Sequence, residues 1–242
     1  MASILLVKTS SLGDVVHNFP VVSDIQDHFP GSRIDWVIEE AYGDLALLHP
    51  GVDRVIPLAL RRWRRHLFRP DTWKEIRHFR VLLNEQAYDH VIDTQGLIKS
   101  AVVTRMAHGC RHGFDAASAR ESLAAAFYDR RHCVERGQHA ISRNRQLAAL
   151  ALGLKQGGEP VRYGLAPQGG APSAEPCCVF LHATSRASKL WPVPAWRRLA
   201  LELGSRGYRC ILPWGSEPER VRSAAIADGI KGTMVPGRMQ LG

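Results

Sequence analysis

At 242 residues, with 45% hydrophobic and 23% charged side chains, the chain has the composition of an ordinary globular protein and can bury a core without disulfide or metal staples. Five cysteines, odd in number and without C-x-x-C spacing, argue against a disulfide framework or a zinc site. No apolar run approaches the ~18–20 residues of a membrane span. The net charge of +9 points to an anionic partner, a requirement that nucleic acid, a phosphorylated small molecule or an anionic membrane surface would each meet.

The start, MASILLVKTSSLGD, has no basic segment before its apolar stretch, so no signal peptide is expected and the protein is placed in the cytosol. Ser3 to Lys8 (SILLVK) is predicted as a buried first strand. Asp14 to His28 carries Val15, Val16, Phe19, Val22 and Ile25 at helical spacing, and Pro30-Gly31 ends that helix. Arg33 to Glu39 alternates as a second strand, and Arg54 to Leu58 is a third. Asp71 to Gln86 is predicted helical, His90 to Asp93 a strand, and Leu97 to His108 and Ala140 to Leu152 helices. The segment from Lys155 to Pro176 is dense in Gly and Pro and is expected to be a linker. Beyond it a strand (Cys177 to His182), a helix (Pro194 to Gly204), a strand (Tyr208 to Leu212) and a helix (Pro218 to Ala227) begin a second series. The alternation predicts an α/β protein of two Rossmann-like domains with parallel sheets, 1–154 and 177–242 joined by 155–176. Two strands and two helices make the second domain incomplete.

Ligands of open parallel sheets bind beyond the carboxyl ends of the strands, and four segments there carry candidate groups. In KTSSLGD (Lys8 to Asp14) the turn and helix N-terminus suit an anion, although Asp14 capping the helix and Gly13 allowing the turn explain the same residues. Arg61, Arg62, Arg64 and Arg65 surround Trp63, as a solvated surface run or as clamps for carboxylates and phosphates. In HATSRASKLW (His182 to Trp191), Thr184 and Ser185 can donate to a phosphate and Lys189 can neutralise it. In PWGSEPER (Pro213 to Arg220), Glu219 can accept from ribose hydroxyls. Trp191, Trp196 and Trp214 are expected to pack. His108, Cys110 and His112 lie close together without a second ligand pair, so no metal is expected.

Taken in order, VKTSSLGDVVHNFP, RRWRRHLF, VIDTQGLIKSA, FDAASARES, FLHATSRASKLWP and LPWGSEPE resemble the inverting ADP-heptose glycosyltransferases of Gram-negative bacteria, along essentially the whole chain. The resemblance implies the two-domain GT-B fold. It also implies transfer of L-glycero-D-manno-heptose from ADP-heptose to Kdo of lipid A, in the inner core of lipopolysaccharide, without a metal or other cofactor. Asp14 then matches the general base. Ser11, Gly13, Arg61, Arg64, Arg65 and Arg120 match the acceptor-binding set. Thr184, Ser185 and Lys189 match residues at the ADP phosphates, with Ser185 replacing a more usual threonine, and Glu219 matches a ribose ligand. The family's D-T-G-x-x-H block has no counterpart between Pro213 and Gly242. The chain is therefore expected to be C-terminally truncated, with little or no turnover of its own. The partners implied are ADP-heptose, Kdo–lipid A and the anionic cytoplasmic face of the inner membrane, bound peripherally by a monomer. A family branch with a heptose acceptor, a non-catalytic sugar-nucleotide or lipopolysaccharide-binding module, and a nucleic-acid binder are the alternatives. The last is weakened because the aromatics are not interleaved with charge as stacking platforms require.

Overall fold

A computed structural model describes residues 1–154, 160–165, 175–184 and 186–238. The chain divides into two compact units, with the division after Pro167. Ser185 and most of the expected linker lie outside the described residues.

The first unit is built on a six-stranded parallel sheet. Its strands are β1 (Ser3–Val7), β2 (Arg33–Glu39), β3 (Arg54–Leu58), β4 (Tyr88–Asp93), β5 (Gly109–Phe114) and β6 (Arg130–His132), in the spatial order β3-β2-β1-β4-β5-β6. Central β1 is apolar on both faces because helices cover both. Ile4 and Leu6 join Phe19, Trp36 and Leu147 in one core, while Leu5 and Val7 join Ile56, Trp63, Phe79 and Leu83 in the other. β1 pairs in parallel with β2 (Leu6 opposite Trp36) and with β4 (Leu6 opposite Ile92). The α-helices described in this unit are α1 (Leu12–Val16), α2 (Phe19–His28), α3 (Gly43–Leu47), α4 (Leu60–Arg65), α5 (Pro70–Leu83), α6 (Ile98–Met106) and α7 (Ala140–Leu152). The long ones each lie on one of those layers: α2 and α7 on the first, α5 and α6 on the second.

The helix expected from Asp14 to His28 is two helices. α1 ends at Val16, and α2 restarts with Pro20 in its first turn, where a missing N–H costs nothing. β5 and β6 carry no strand-like pattern, since GCRHGF and RRH are polar or glycine-rich. They form because they complete the sheet beside β4 and add backbone pairing.

The second unit has a three-stranded parallel sheet, β7 (Cys177–Val179), β8 (Arg209–Ile211) and β9 (Thr233–Met234), with helices α8 (Val193–Ser205) and α9 (Glu217–Ala227). Phe180, Ala200, Cys210, Leu212 and Ile226 form its core. The expected two strands thus become three. β9 is only two residues long and leaves no periodic signal. β7 and β8 are shorter than the apolar runs that predict them. Trp196 packs on Phe180 and Trp191, and Trp214 donates to the Pro236 carbonyl (2.8 Å), so these three tryptophans serve packing or local bonding.

Candidate active site

The order β3-β2-β1-β4-β5-β6 reverses direction between β1 and β4, and the segments leaving their carboxyl ends meet there. Lys8 follows β1 but is almost fully buried, and its ammonium donates to the Thr94 carbonyl (2.8 Å). Gln95 ties the two turns together. Its Oε1 accepts from the N–H groups of Thr9 (3.0 Å) and Ser10 (3.3 Å), and its Nε2 donates to the Ser10 carbonyl (2.6 Å). Lys99, on α6, donates to Ser10 Oγ (3.0 Å). The Ser10–Ser11 peptide is cis. Gly96, with φ +66°, turns the chain where a Cβ would come 3.0 Å from the Phe114 ring, so both conformation and space select glycine.

This frame presents Asp14. One carboxylate oxygen accepts from the Ser11 N–H (3.1 Å) and hydroxyl (3.3 Å), and the other from Arg120 (3.1 Å). Asp14 therefore caps α1, as its position in the turn suggests, and is also held by a guanidinium from 106 residues away. Arg143 reaches the same region. It is stacked on Phe114 at 4.8 Å and donates to the Ser118 carbonyl (2.6 Å), while its Nε is buried without a partner among the described residues. Arg136 donates to the Ala119 carbonyl.

The charges act on one another. Burial alone would raise the Asp14 carboxyl, but Lys8, the Ser11 N–H and Arg120 outweigh it, and Asp14 is held below the ordinary carboxylate range. Burial drives Lys8 down to about 8 despite the attraction of Asp14. Arg143 is also lowered, by burial and then by repulsion from Arg120 and Arg136. Asp93, one step below at the end of β4, goes the other way. Burial raises it although Tyr128 (2.8 Å) and the N–H groups of Gln95 (2.8 Å) and Gly96 (3.3 Å) donate to it. A carboxylate fixed among cations, at a ligand-binding edge, is equipped to bind an anionic molecule and take a proton from it.

Of the residues expected at the acceptor, Ser11 and Arg120 touch Asp14. Gly13 has no positive φ, and a Cβ there would meet nothing within 4 Å, so the turn does not require glycine as expected. Its small size instead leaves open space beside Asp14. α4 leaves β3 at the same edge of the sheet. β3 lies two strand spacings from β1, roughly 10 Å, with β2 between them. Arg61 lies over the Tyr42 ring at 5.4 Å and donates to its hydroxyl (3.2 Å). Arg64 and Arg65 are exposed and enter no ion pair among the described residues. Arg62 bonds to Glu40 and Glu75, which makes it structural.

In the second unit Thr184 and Lys189 are exposed at the carboxyl end of β7, and Ser185 lies outside the described residues. Glu219 accepts from the N–H groups of Gly215 (2.8 Å) and Ser216 (3.1 Å), which makes it the cap of α9. His182 is buried with Nε2 at 2.8 Å from Ser223 Oγ, and its Nδ1 has no partner among the described residues. His108, Cys110 and His112 do not converge, and among the described residues no cluster of three or more His, Cys, Asp or Glu is placed to hold a metal ion. His112 instead joins a row across three strands, 3.1 Å from His90 and 3.1 Å from His132.

Sequence reasoning does not single out Lys8, Gln95, Lys99 or Arg143. Lys8 and Gln95 stand inside recognisable motifs, but only the pairing of β1 with β4 reveals what they do.

The profile of glycosyltransferase family 9 (heptosyltransferase) matches residues 76–242. Lipopolysaccharide heptosyltransferase 1 of Salmonella typhimurium is 43% identical over 242 residues, covering 98% of this chain and 76% of the relative. The solved structure of E. coli heptosyltransferase WaaC with ADP superposes with a TM-score of 0.94 at 43% identity, over 99% of this chain and 76% of that one. The WaaC structure with ADP-2-deoxy-2-fluoro heptose matches equally, with a TM-score of 0.94 at 42% identity, over 99% and 77%. With a matching profile over more than half its length and so similar a relative, the chain belongs to glycosyltransferase family 9, the heptosyltransferases, and is a glycosyltransferase of α/β, GT-B architecture.

Proposed function

We propose that the chain transfers L-glycero-D-manno-heptose from ADP-heptose to Kdo of lipid A with inversion, at the cytoplasmic face of the inner membrane. The observation that carries this is Asp14, a carboxylate fixed by Ser11 and Arg120 at the β1–β4 switch point, with Lys8 and Arg143 close by. The likeness to a relative solved with an ADP-heptose analogue supports the donor. In an inverting reaction a base must stand on the face opposite the leaving group, and Asp14 fills that role. Because its cations make it a weak base, the proton leaves late, once the acceptor oxygen has begun to bond to the anomeric carbon. The Kdo carboxylate would also compete for Arg120. Each contact it takes from Asp14 strengthens the base at the moment the acceptor is seated.

Residues 1–154 take the acceptor in this scheme, with Arg61, Arg64, Arg65 and Arg120 receiving its anionic groups and Ser11 and Gly13 leaving room beside the base. Residues 177–242 take the donor, with Thr184, Ser185 and Lys189 at the diphosphate. Glu219 can serve the ribose only with what its α9 cap leaves free. No metal is invoked, since Thr184, Ser185 and Lys189 are assigned to the leaving charge, and the protein acts as a monomer without nucleic acid. Among the described residues no helix is long and apolar enough to cross a membrane, which fits peripheral attachment.

The test is release of ADP from ADP-heptose in the presence of Kdo–lipid A. It is run on the 242-residue chain and on the same chain fused to the remaining part of the E. coli relative. Release that depends on both substrates is the expected result for the fusion. Release with a heptose acceptor but not with Kdo would replace the acceptor. Donor binding without turnover in the fusion would support a binding module instead.

A further inference from the structure

The segment from Arg61 to Arg80 holds eight arginines and lysines against two acids, a net +6 out of +9 for the whole chain. Both acids are already used: Asp71 pairs with Lys74 (3.1 Å) and Glu75 with Arg62 (2.6 Å). Arg64, Arg65, Arg69, Arg77 and Arg80 enter no ion pair among the described residues. In the midst of this charge stand large apolar side chains that the fold does not cover. Phe68, at the tip of the turn between α4 and α5, is 102% exposed, with Leu67 at 45% beside it. Trp73 (58%) and Val81 (59%) follow on α5. α5 buries Thr72, Phe79 and Leu83, so Trp73, Arg77 and Val81, four residues apart, form a stripe that the core does not use. Trp73 is held in place, since its indole N–H donates to the Leu67 carbonyl (2.8 Å), which also fixes the turn that carries Phe68.

Exposed aromatic and aliphatic side chains ringed by unpaired arginines are the chemistry of an interfacial helix, whose apolar face sinks to the acyl boundary while its cations meet lipid phosphates. We propose that the α4–α5 turn, with Leu67, Phe68 and Trp73, is the wedge by which this protein docks on an anionic lipid bilayer. The proposal rests on the membrane-surface part of the function proposed above and assigns it to one face. A water-soluble polyanion would use the arginines but leave Phe68 without a purpose. A second copy of the chain would have to bring five further arginines against these five. Because α4 lies at the same sheet edge as Asp14, docking here would hold the base next to the surface from which a lipid-linked sugar projects.

The experiment uses the 242-residue protein with phosphatidylcholine vesicles, with and without phosphatidylglycerol, read by co-sedimentation and by quenching of tryptophan with brominated lipid. Wild type should bind the anionic vesicles, more weakly as salt rises, and little to the neutral ones. Phe68→Glu should lower the partition coefficient roughly tenfold or more, and Phe68→Trp should retain it. Phe68 is fully exposed, so an unchanged circular dichroism melt is expected for both variants. Normal vesicle binding by Phe68→Glu would overturn the assignment of this face. Equal binding of neutral and anionic vesicles would overturn the role of the arginines. A dimer in sedimentation velocity that Phe68→Glu dissolves would give the face to self-association. If wild type binds neither vesicle, the membrane reading itself fails, whereas binding that ignores Phe68 removes only the wedge.

Discussion

Lys8→Met should uncouple the stability of the first unit from alkaline pH. The Lys8 ammonium is buried at the end of β1, and its pKa falls from 10.5 to about 8 through burial, against the pull of Asp14 and Asp93. Between pH 8 and 10.5 the unfolded chain binds a proton that the folded one has released, so wild-type stability rises with pH across that window and lacks the increment below it. A change of one in pKa corresponds to about 1.4 kcal/mol, so moving from about pH 7 to about pH 10 adds about 2 to 3 kcal/mol that Lys8→Met cannot show. At neutral pH the variant gains by losing a strained cation and loses the bond to the Thr94 carbonyl, worth about 1–3 kcal/mol. The two nearly cancel, and Met matches the buried stem. With a urea m-value of about 2 kcal/mol per molar, the gap between the two midpoints should move by roughly 1 M between about pH 7 and about pH 10. Urea titrations followed by circular dichroism measure it, and groups common to both proteins drop out of the difference. A gap that stays constant over that range would show that burial does not lower the pKa of the Lys8 ammonium, and would refute the strain assigned to it.

Asp14→Asn should lower heptose transfer roughly 10²–10⁴-fold while ADP-heptose binding, followed by calorimetry, stays near normal; unchanged kcat would remove the base. Neutralising any two of Arg61, Arg64, Arg65 and Arg120 should raise KM for Kdo–lipid A far more than for ADP-heptose, with an effect that shrinks at high salt; equal effects would move them out of the acceptor site. His112 sits between His90 and His132 with its pKa lowered to about 4 by burial and then by those two neighbours. The unfolded chain therefore binds the extra proton between pH 6.5 and about 4, and stability should fall as pH drops through that window, less steeply in His112→Phe. Parallel slopes for the two proteins would refute this.

What the sequence discloses and what it hides follow from the range of the interactions. The unbroken apolar run of β1, the alternation of β2 and the turn KTSSLGD are local patterns, and the α/β architecture with Asp14 at a strand end can be written down from them. β5 and β6 are held by register with a neighbour rather than by their own side chains, so GCRHGF and RRH look like loop. Lys8 reads as an ordinary charged strand end. Its burial depends on β4 arriving alongside and offering the Thr94 carbonyl. Glu219 presents the opposite case. Its position three residues after Ser216 is that of a helix cap, and that local role is the one the structure displays. Phe68 leaves no trace in the pattern, because one exposed aromatic in a basic run carries no periodic signal.

The pairing that builds the site also dates it. β1 leaves the ribosome before the other strands of its sheet, yet the carbonyl that receives Lys8 lies 86 residues later and the arginine that holds Asp14 106 residues later. At roughly 5–20 residues per second, Ile4, Leu5, Leu6 and Val7 wait on the order of 4–17 s before β4 can cover one side of them. Through that interval the most apolar strand of the sheet is a nascent chain with β2 on one edge and nothing on the other, the sort of segment that ribosome-bound chaperones shield. It also means that no partly made chain carries the cation-ringed carboxylate. A ligand that recognises Asp14 together with Arg120 thereby reports, in pulse-chase synthesis, that the first unit has grown past Arg120.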